Sequence, residues 1–228
     1  MVSYVFNFSF LERTWTQFLM GAGQTIVLAG SAIVLGFILG VVCAVLRTGG
    51  GRVASTIVGA YVEVIRNTPL LVQIFIVYFG LPTIGLRLSA EASAIIALAI
   101  NTGAYSSEII RSGIESIARG QLEAAECLGL SRVQVYWHII LLPAIERTYP
   151  ALCSQFVLLM LASSITSQIS AQELTAEANI IQAETFRSFE VYLVVAVVYL
   201  GLSILFRAAL HLIGVLAFVR RRRLGTPL

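Results

Sequence analysis

The chain contains no lysine and no aspartate: all fifteen basic side chains are arginine and all twelve acidic ones are glutamate. Charged residues make up 12% of the 228, about half the share usual in a soluble domain. Without lysine, no Walker A side chain can reach a nucleotide phosphate, and without aspartate the usual Mg²⁺ anchor of such sites is missing. The chain is therefore not a standard P-loop ATPase. No HExxH or GxSxG string marks it as a hydrolase either. Cysteine is scarce: Cys43, Cys127 and Cys153 stand alone, lack metal-ligand spacing, and read as small buried hydrophobes. His138 and His211 have no partner in sequence, so no metal site is expected. The first sixteen residues lack the basic start, short apolar core and small-residue cleavage site of a secretory signal. The first long apolar run is expected to stay in the mature protein.

What is abundant is apolar length. Hydrophobic residues reach 58% and the mean hydropathy is +0.89. Several runs are long enough to cross ~30 Å of hydrocarbon. The expectation is an all-α membrane protein, one transmembrane domain over residues 1–228, with about five transmembrane helices. A polar-aromatic lead over residues 1–16 precedes spans near 25–46, 56–80, 91–111, 149–170 and 191–206, the last continuing toward Val219. Pro69 should kink or interrupt the second span. Gly36 and Gly40 form a small-xxx-small pattern, read as packing within the chain. Glu63 and Arg66 are one turn apart and can pair. Arginine placement sets the orientation. With the N-terminus outside, Arg47, Arg52, Arg111, Arg119, Arg132, Arg147, Arg207 and the tail Arg220–Arg223 fall on the inner side. Only Arg13, Arg87 and Arg187 then fall outside, so the C-terminus is expected in the cytoplasm. The four-arginine tail reads as an anchor to anionic lipid.

Between the third and fourth spans lies a polar insert, residues 112–147. Gly120 is the turn candidate, and residues 121–130 are rich in helix formers. Ser131 can cap a second short helix over 132–142, which Pro143 should stop. Leu122, Cys127, Leu128 and Leu130 offer apolar contacts, and Glu123 and Glu126 offer acceptors. A short amphipathic helix of this kind can seat in a groove on another protein. By periodicity alone, a solvated loop lying on the membrane would be favoured. The string Glu123-Ala124-Ala125, then Gly129, then Ile140-Leu141-Leu142-Pro143 resembles the EAA loop of permease subunits of ABC importers. The interval from Gly129 to Pro143 is one residue longer than the commonest form of that motif. Two further stretches, Arg66-Asn67-Thr68-Pro69-Leu70-Leu71-Val72-Gln73 and Asn101-Thr102-Gly103-Ala104-Tyr105-Ser106-Ser107-Glu108-Ile109-Ile110-Arg111, resemble permeases of the polar amino acid uptake family.

These resemblances imply a type I importer in a bacterial inner membrane, carrying amino acids or related zwitterions such as opines. The implied partners are two ATP-binding subunits on the inside, a second identical or homologous permease, and an extracytoplasmic solute-binding protein. No nucleic acid is implied, and no cofactor on this chain: ATP and Mg²⁺ belong to the partner ATPase, so the chain is not itself an enzyme. The implied ATPase-coupling residues are Glu123, Ala124, Ala125, Leu128, Gly129 and Leu130. A charge inside the bilayer needs a partner. For Glu108 that is either a substrate ammonium or Arg111, one turn away. Asn101, Tyr105 and Glu108 share one helix face at i, i+4 and i+7. With Ser106, Gln155, Ser164 and Gln168 they are the candidate substrate pathway, although Asn101 and Gln155 suit interhelix hydrogen bonding equally. The alternative function is a gradient-driven carrier or channel. Such carriers commonly show internal repeats, and none is evident here.

Overall fold

The computed structural model describes residues 5–218; the tail Arg220–Arg223 lies outside the described residues. The described chain is helical. In order it forms α1 (Leu11–Gly49), α2 (Arg52–Arg66), α3 (Leu70–Phe75), α4 (Ala90–Glu115), α5 (Arg119–Cys127), α6 (Arg132–Gln134), α7 (Leu142–Ala162), α8 (Leu174–Thr185) and α9 (Ser188–Ala217). Segment α3 runs on through a π turn, Ile76–Gly80, and a 3₁₀ turn, Leu81–Ile84. Four helical stretches are long and apolar enough to cross a membrane: Leu11–Gly49, Ala90–Glu115, Arg132–Ile169 and Ser188–Ala217. The interrupted pair Arg52–Arg66 and Leu70–Ile84 makes a fifth when its arms are taken together.

Pro69 interrupts the second span, as expected. The residue before a proline is disfavoured in the helical region, and α2 ends at Arg66, before Thr68 is reached. Asn67 closes α2: its backbone N–H donates to the Glu63 carbonyl at 3.1 Å and its Nδ2 to the same oxygen at 2.8 Å. Other expectations shift. Helix α1 starts at Leu11 and absorbs part of the polar-aromatic lead. Gly120 lies inside the first turn of α5 rather than at the turn before it. Pro143 does not stop the second insert helix. The chain passes through a π segment, Val135–Leu141, where the Leu142 N–H reaches the Trp137 carbonyl five residues back. A π turn holds one residue more than an α turn. The wider turn lies directly before Pro143, where proline would otherwise clash with the preceding turn. The helix then runs unbroken through Pro150 to Ala162.

The chain packs as two compact units. One comprises Met1–Ile33, Leu70–Leu98 and Val157–Arg207. Its core gathers Phe10, Phe18, Met160, Leu174, Ile181 and Val191. Thr25 sits fully buried here, and its hydroxyl accepts the Leu174 N–H at the start of α8 at 3.1 Å. The other unit comprises Val34–Pro69, Ala99–Phe156 and Ala208–Leu228. Its core gathers Cys43, Val58, Val62 and Ala104, flanked by Leu39 and Tyr61. In that unit α1 and α4 cross in close contact. A Cβ added at Gly36 would lie 2.5 Å from Thr102 Cβ, and one at Gly40 would lie 2.6 Å from Ser106 Cβ. The small-xxx-small pattern is thus used within the chain, where only hydrogen lets the two backbones approach.

Candidate functional site

Helix α5 begins after Ala118, whose extended backbone lets its carbonyl accept the Gln121 N–H at 3.0 Å. It ends at Gly129, which takes the left-handed conformation at φ 72°. From there the Gly129 N–H donates to the Glu126 carbonyl at 2.9 Å and the Leu130 N–H to the Ala125 carbonyl at 3.2 Å. This is the paired pattern that closes a helix on glycine, and it favours glycine because a Cβ is strained at positive φ. Ser131 then starts the next helix with a reciprocal cap. Its hydroxyl accepts the Gln134 N–H at 3.4 Å while the Gln134 side chain accepts the Ser131 N–H at 2.9 Å. Of α5 itself, only Ala125 is buried. Glu123, Ala124, Glu126 and Cys127 are exposed, and Leu128 is 79% exposed. The exposure of Cys127 departs from the buried role expected for it. The insert thus presents acidic and apolar groups that the chain itself leaves uncovered.

The base of the insert is tied by side chains from separated stretches. Arg47, in the last turn of α1, donates from Nη1 to Glu108 Oε2 at 2.7 Å. Arg111 donates from Nε to both Glu108 oxygens at 3.1 Å, and its Nη2 also bonds Oε1. Arg111 Nη1 pairs with Glu115. Arg147 Nη1 donates to the Ser116 carbonyl at 2.9 Å and to its hydroxyl at 2.7 Å. The hydroxyls of Thr48 and Tyr136 lie 3.1 Å apart. Gly113 makes room for α7: a Cβ there would meet Thr148 Cγ2 at 2.7 Å.

The pathway candidates are distributed over both units. Asn101, Tyr105, Ser106, Glu108 and Gln155 belong to the second, Ser164 and Gln168 to the first. Asn101 is buried, and Ser106 is fully buried against Gly40. The Ser106 and Ser107 hydroxyls make no hydrogen bond. Tyr105 is half-buried, and the Arg66 guanidinium lies 5.4 Å from its ring centre. Arg66 therefore turns to an aromatic face rather than to Glu63, which instead accepts from Asn67 Nδ2 at 3.1 Å. Gln155 is half-buried, Gln168 is exposed, and the Ser164 hydroxyl donates to the Leu161 carbonyl at 2.8 Å.

The sequence reading did not single out Glu173. It is fully buried, although it follows a polar stretch. Its carboxylate caps α8, accepting the Ala176 N–H at 2.8 Å, and accepts the Tyr199 hydroxyl at 2.7 Å. The Tyr199 and Thr175 hydroxyls are 3.0 Å apart, which closes the group. Burial pushes the Glu173 carboxyl above its ordinary value, with the hydrogen bonds from Thr175, Tyr199 and Ala176 opposing it.

The described residues thus form a helical chain with up to five spans long and apolar enough to cross a membrane, and a capped polar insert whose acidic and apolar groups are uncovered. The family model described as "Binding-protein-dependent transport system inner membrane component" matches residues 32–214. Among curated proteins, a probable glutamine ABC transporter permease protein, GlnM of Bacillus subtilis (strain 168), is 39% identical over 198 residues, covering 87% of this chain and 92% of that one. The nopaline transport system permease protein NocM of Agrobacterium fabrum is 35% identical, covering 84% and 83%. A crystal structure of an amino acid ABC transporter with histidines superposes with a TM-score of 0.84 at 34% identity, covering 92% of this chain and 99% of that one. The chain belongs to the permeases of ABC transporters, the inner membrane components of binding-protein-dependent transport systems.

Proposed function

We propose that this chain forms the translocation pathway of an ATP-driven importer for amino acids or related zwitterions, and that ATPase subunits work it through α5. The observation that carries this reading is the exposed, glycine-closed helix Arg119–Cys127 with Leu128 uncovered at its end. Glu123, Ala124, Ala125, Leu128, Gly129 and Leu130 are the coupling residues. Glu123 and Glu126 meet basic groups of the partner, and Leu128 enters an apolar hollow in it. ATP hydrolysis resides on the partner, since a chain without lysine has no Walker A contact. The complex holds two ATPase subunits, a second permease of the same or a related sequence, and a solute-binding protein outside. The glutamine and nopaline permeases among the relatives support a substrate with both ammonium and carboxylate. The arginine bias supports a bacterial inner membrane setting with α5 in the cytoplasm.

Co-purification from membranes carrying all subunits tests the coupling role. Glu123→Arg and Gly129→Val should each lose the ATPase from the purified complex and abolish uptake, while the permease still inserts. ATPase retention together with wild-type uptake would refute the assignment of α5.

A further inference from the structure

The proposed function leaves one group at the base of the insert without an assigned task. Glu108 belongs to α4, about two turns before that helix ends at Glu115 and gives way to the insert. Its carboxylate is shared by two guanidinium groups from different helices: Arg47 on Oε2 at 2.7 Å, and Arg111 through Nε on both oxygens at 3.1 Å. Arg111 continues to Glu115, so the charges form a chain, Arg47–Glu108–Arg111–Glu115, at the point where α4 leaves its span. Arg66, stacked on Tyr105 one turn earlier, adds a third positive group to the neighbourhood of the same carboxylate.

Charge-assisted bonds to planar guanidinium groups are directional. The bond from Arg47 ties the last turn of α1 to α4, and the bonds from Arg111, on α4 itself, hold the Glu108 carboxylate in place for it. The remaining corners of the insert are held by neutral oxygens, at Arg147–Ser116 and Thr48–Tyr136. Within this frame Glu108 is the anion that both arginines share, and Arg111 also has Glu115. Removal of either arginine leaves Glu108 paired with the other. Removal of Glu108 takes the shared anion from two partly buried guanidinium groups, 22% and 24% exposed, leaving Arg111 with Glu115 and Arg47 without this partner.

We propose that Glu108 is a positioning residue: it clamps the inner end of α4 to that of α1, and thereby sets the direction in which α5 is presented to its partner. It acts through the frame and not by contact with substrate, since both its oxygens already accept from guanidinium. This inference rests on the coupling reading of α5.

The test uses the complete transporter in lipid nanodiscs, with Cys43→Ala and Cys153→Ala leaving the exposed Cys127 for a nitroxide spin label. Glu108→Gln should raise the mobility of the label at Cys127 and lower substrate-stimulated ATP hydrolysis about tenfold. Glu108→Asp should keep both near wild type. Arg47→Met should give the same changes to a smaller degree, and Glu108→Gln combined with Arg47→Met should be no worse than Glu108→Gln alone. An unchanged Cys127 spectrum with lost uptake would overturn the inference and return Glu108 to the substrate pathway. A loosened label with wild-type stimulated hydrolysis would keep the clamp and refute the coupling role of α5. Where Glu108→Gln fails to assemble, Arg47→Met carries the same readouts with the Glu108–Arg111 pair intact.

Discussion

At the base of the insert Glu108 lies between Arg47 and Arg111; at the start of α8 Glu173 is buried more deeply and is met by a tyrosine hydroxyl and a backbone N–H. Both are acids in a chain whose surroundings are apolar, yet they are held by different physics. The first is one partner in a chain of full charges, so its removal leaves cations behind. The second is satisfied by neutral donors, so its removal leaves only a cap and a hydroxyl to be re-satisfied. The Glu108 site therefore suits a frame whose geometry must stay fixed, and the Glu173 site suits a local anchor for the start of a helix.

Substituting the same residue at both positions is the strongest way to break this comparison. Glu108→Leu should cost about 2 kcal/mol of stability, less than a fully buried broken pair because its arginines are partly solvated. Glu173→Leu should cost about 1 kcal/mol, the worth of a lost helix cap. Thermal unfolding of the detergent-solubilised complex measures both, and a larger loss at Glu173 would reverse the comparison. The glycines of α1 sharpen it next. Gly40→Ala places a Cβ 2.6 Å from Ser106 Cβ and should destabilise by about 1–2 kcal/mol in the same assay. Glu173→Gln should be milder and pH-dependent. The folded carboxyl titrates above its unfolded value, so the folded chain binds more protons between the two values. Wild-type stability should therefore fall as pH rises from about 4 through the folded value and level off above it. Glu173→Gln removes that slope, so the variant should gain on the wild type as pH rises, and any loss seen at acid pH should shrink toward alkaline pH. A difference independent of pH would show that Glu173 does not titrate as its burial demands. The smallest effect is expected at Gly23, where an added Cβ meets nothing within 4 Å. Gly23→Ala should stabilise by about 0.5 kcal/mol through helix propensity alone.

Much of this architecture was legible in the sequence because it is written locally. Apolar runs mark the spans, Pro69 marks the interruption, and Ser131 with Gln134 marks a helix start three residues apart. The pair Glu108–Arg111 is likewise visible at helical spacing. What was not legible depends on residues far apart in the chain. Arg47 reaches Glu108 across 61 positions, and Tyr199 reaches Glu173 across 26. The unbroken helix through Pro143 was hidden for a different reason. Proline reads as a stop signal in a local pattern, yet the helix runs on through Pro143, behind the π segment Val135–Leu141, and through Pro150.

The most direct test of the central claim is solute accumulation in sealed proteoliposomes, with the permease reconstituted with and without its ATPase subunits and binding protein. Uptake should require both added partners and ATP, and should vanish when ATP is replaced by a non-hydrolysable analogue. Accumulation by the permease alone, driven by an imposed ion gradient, would contradict the account.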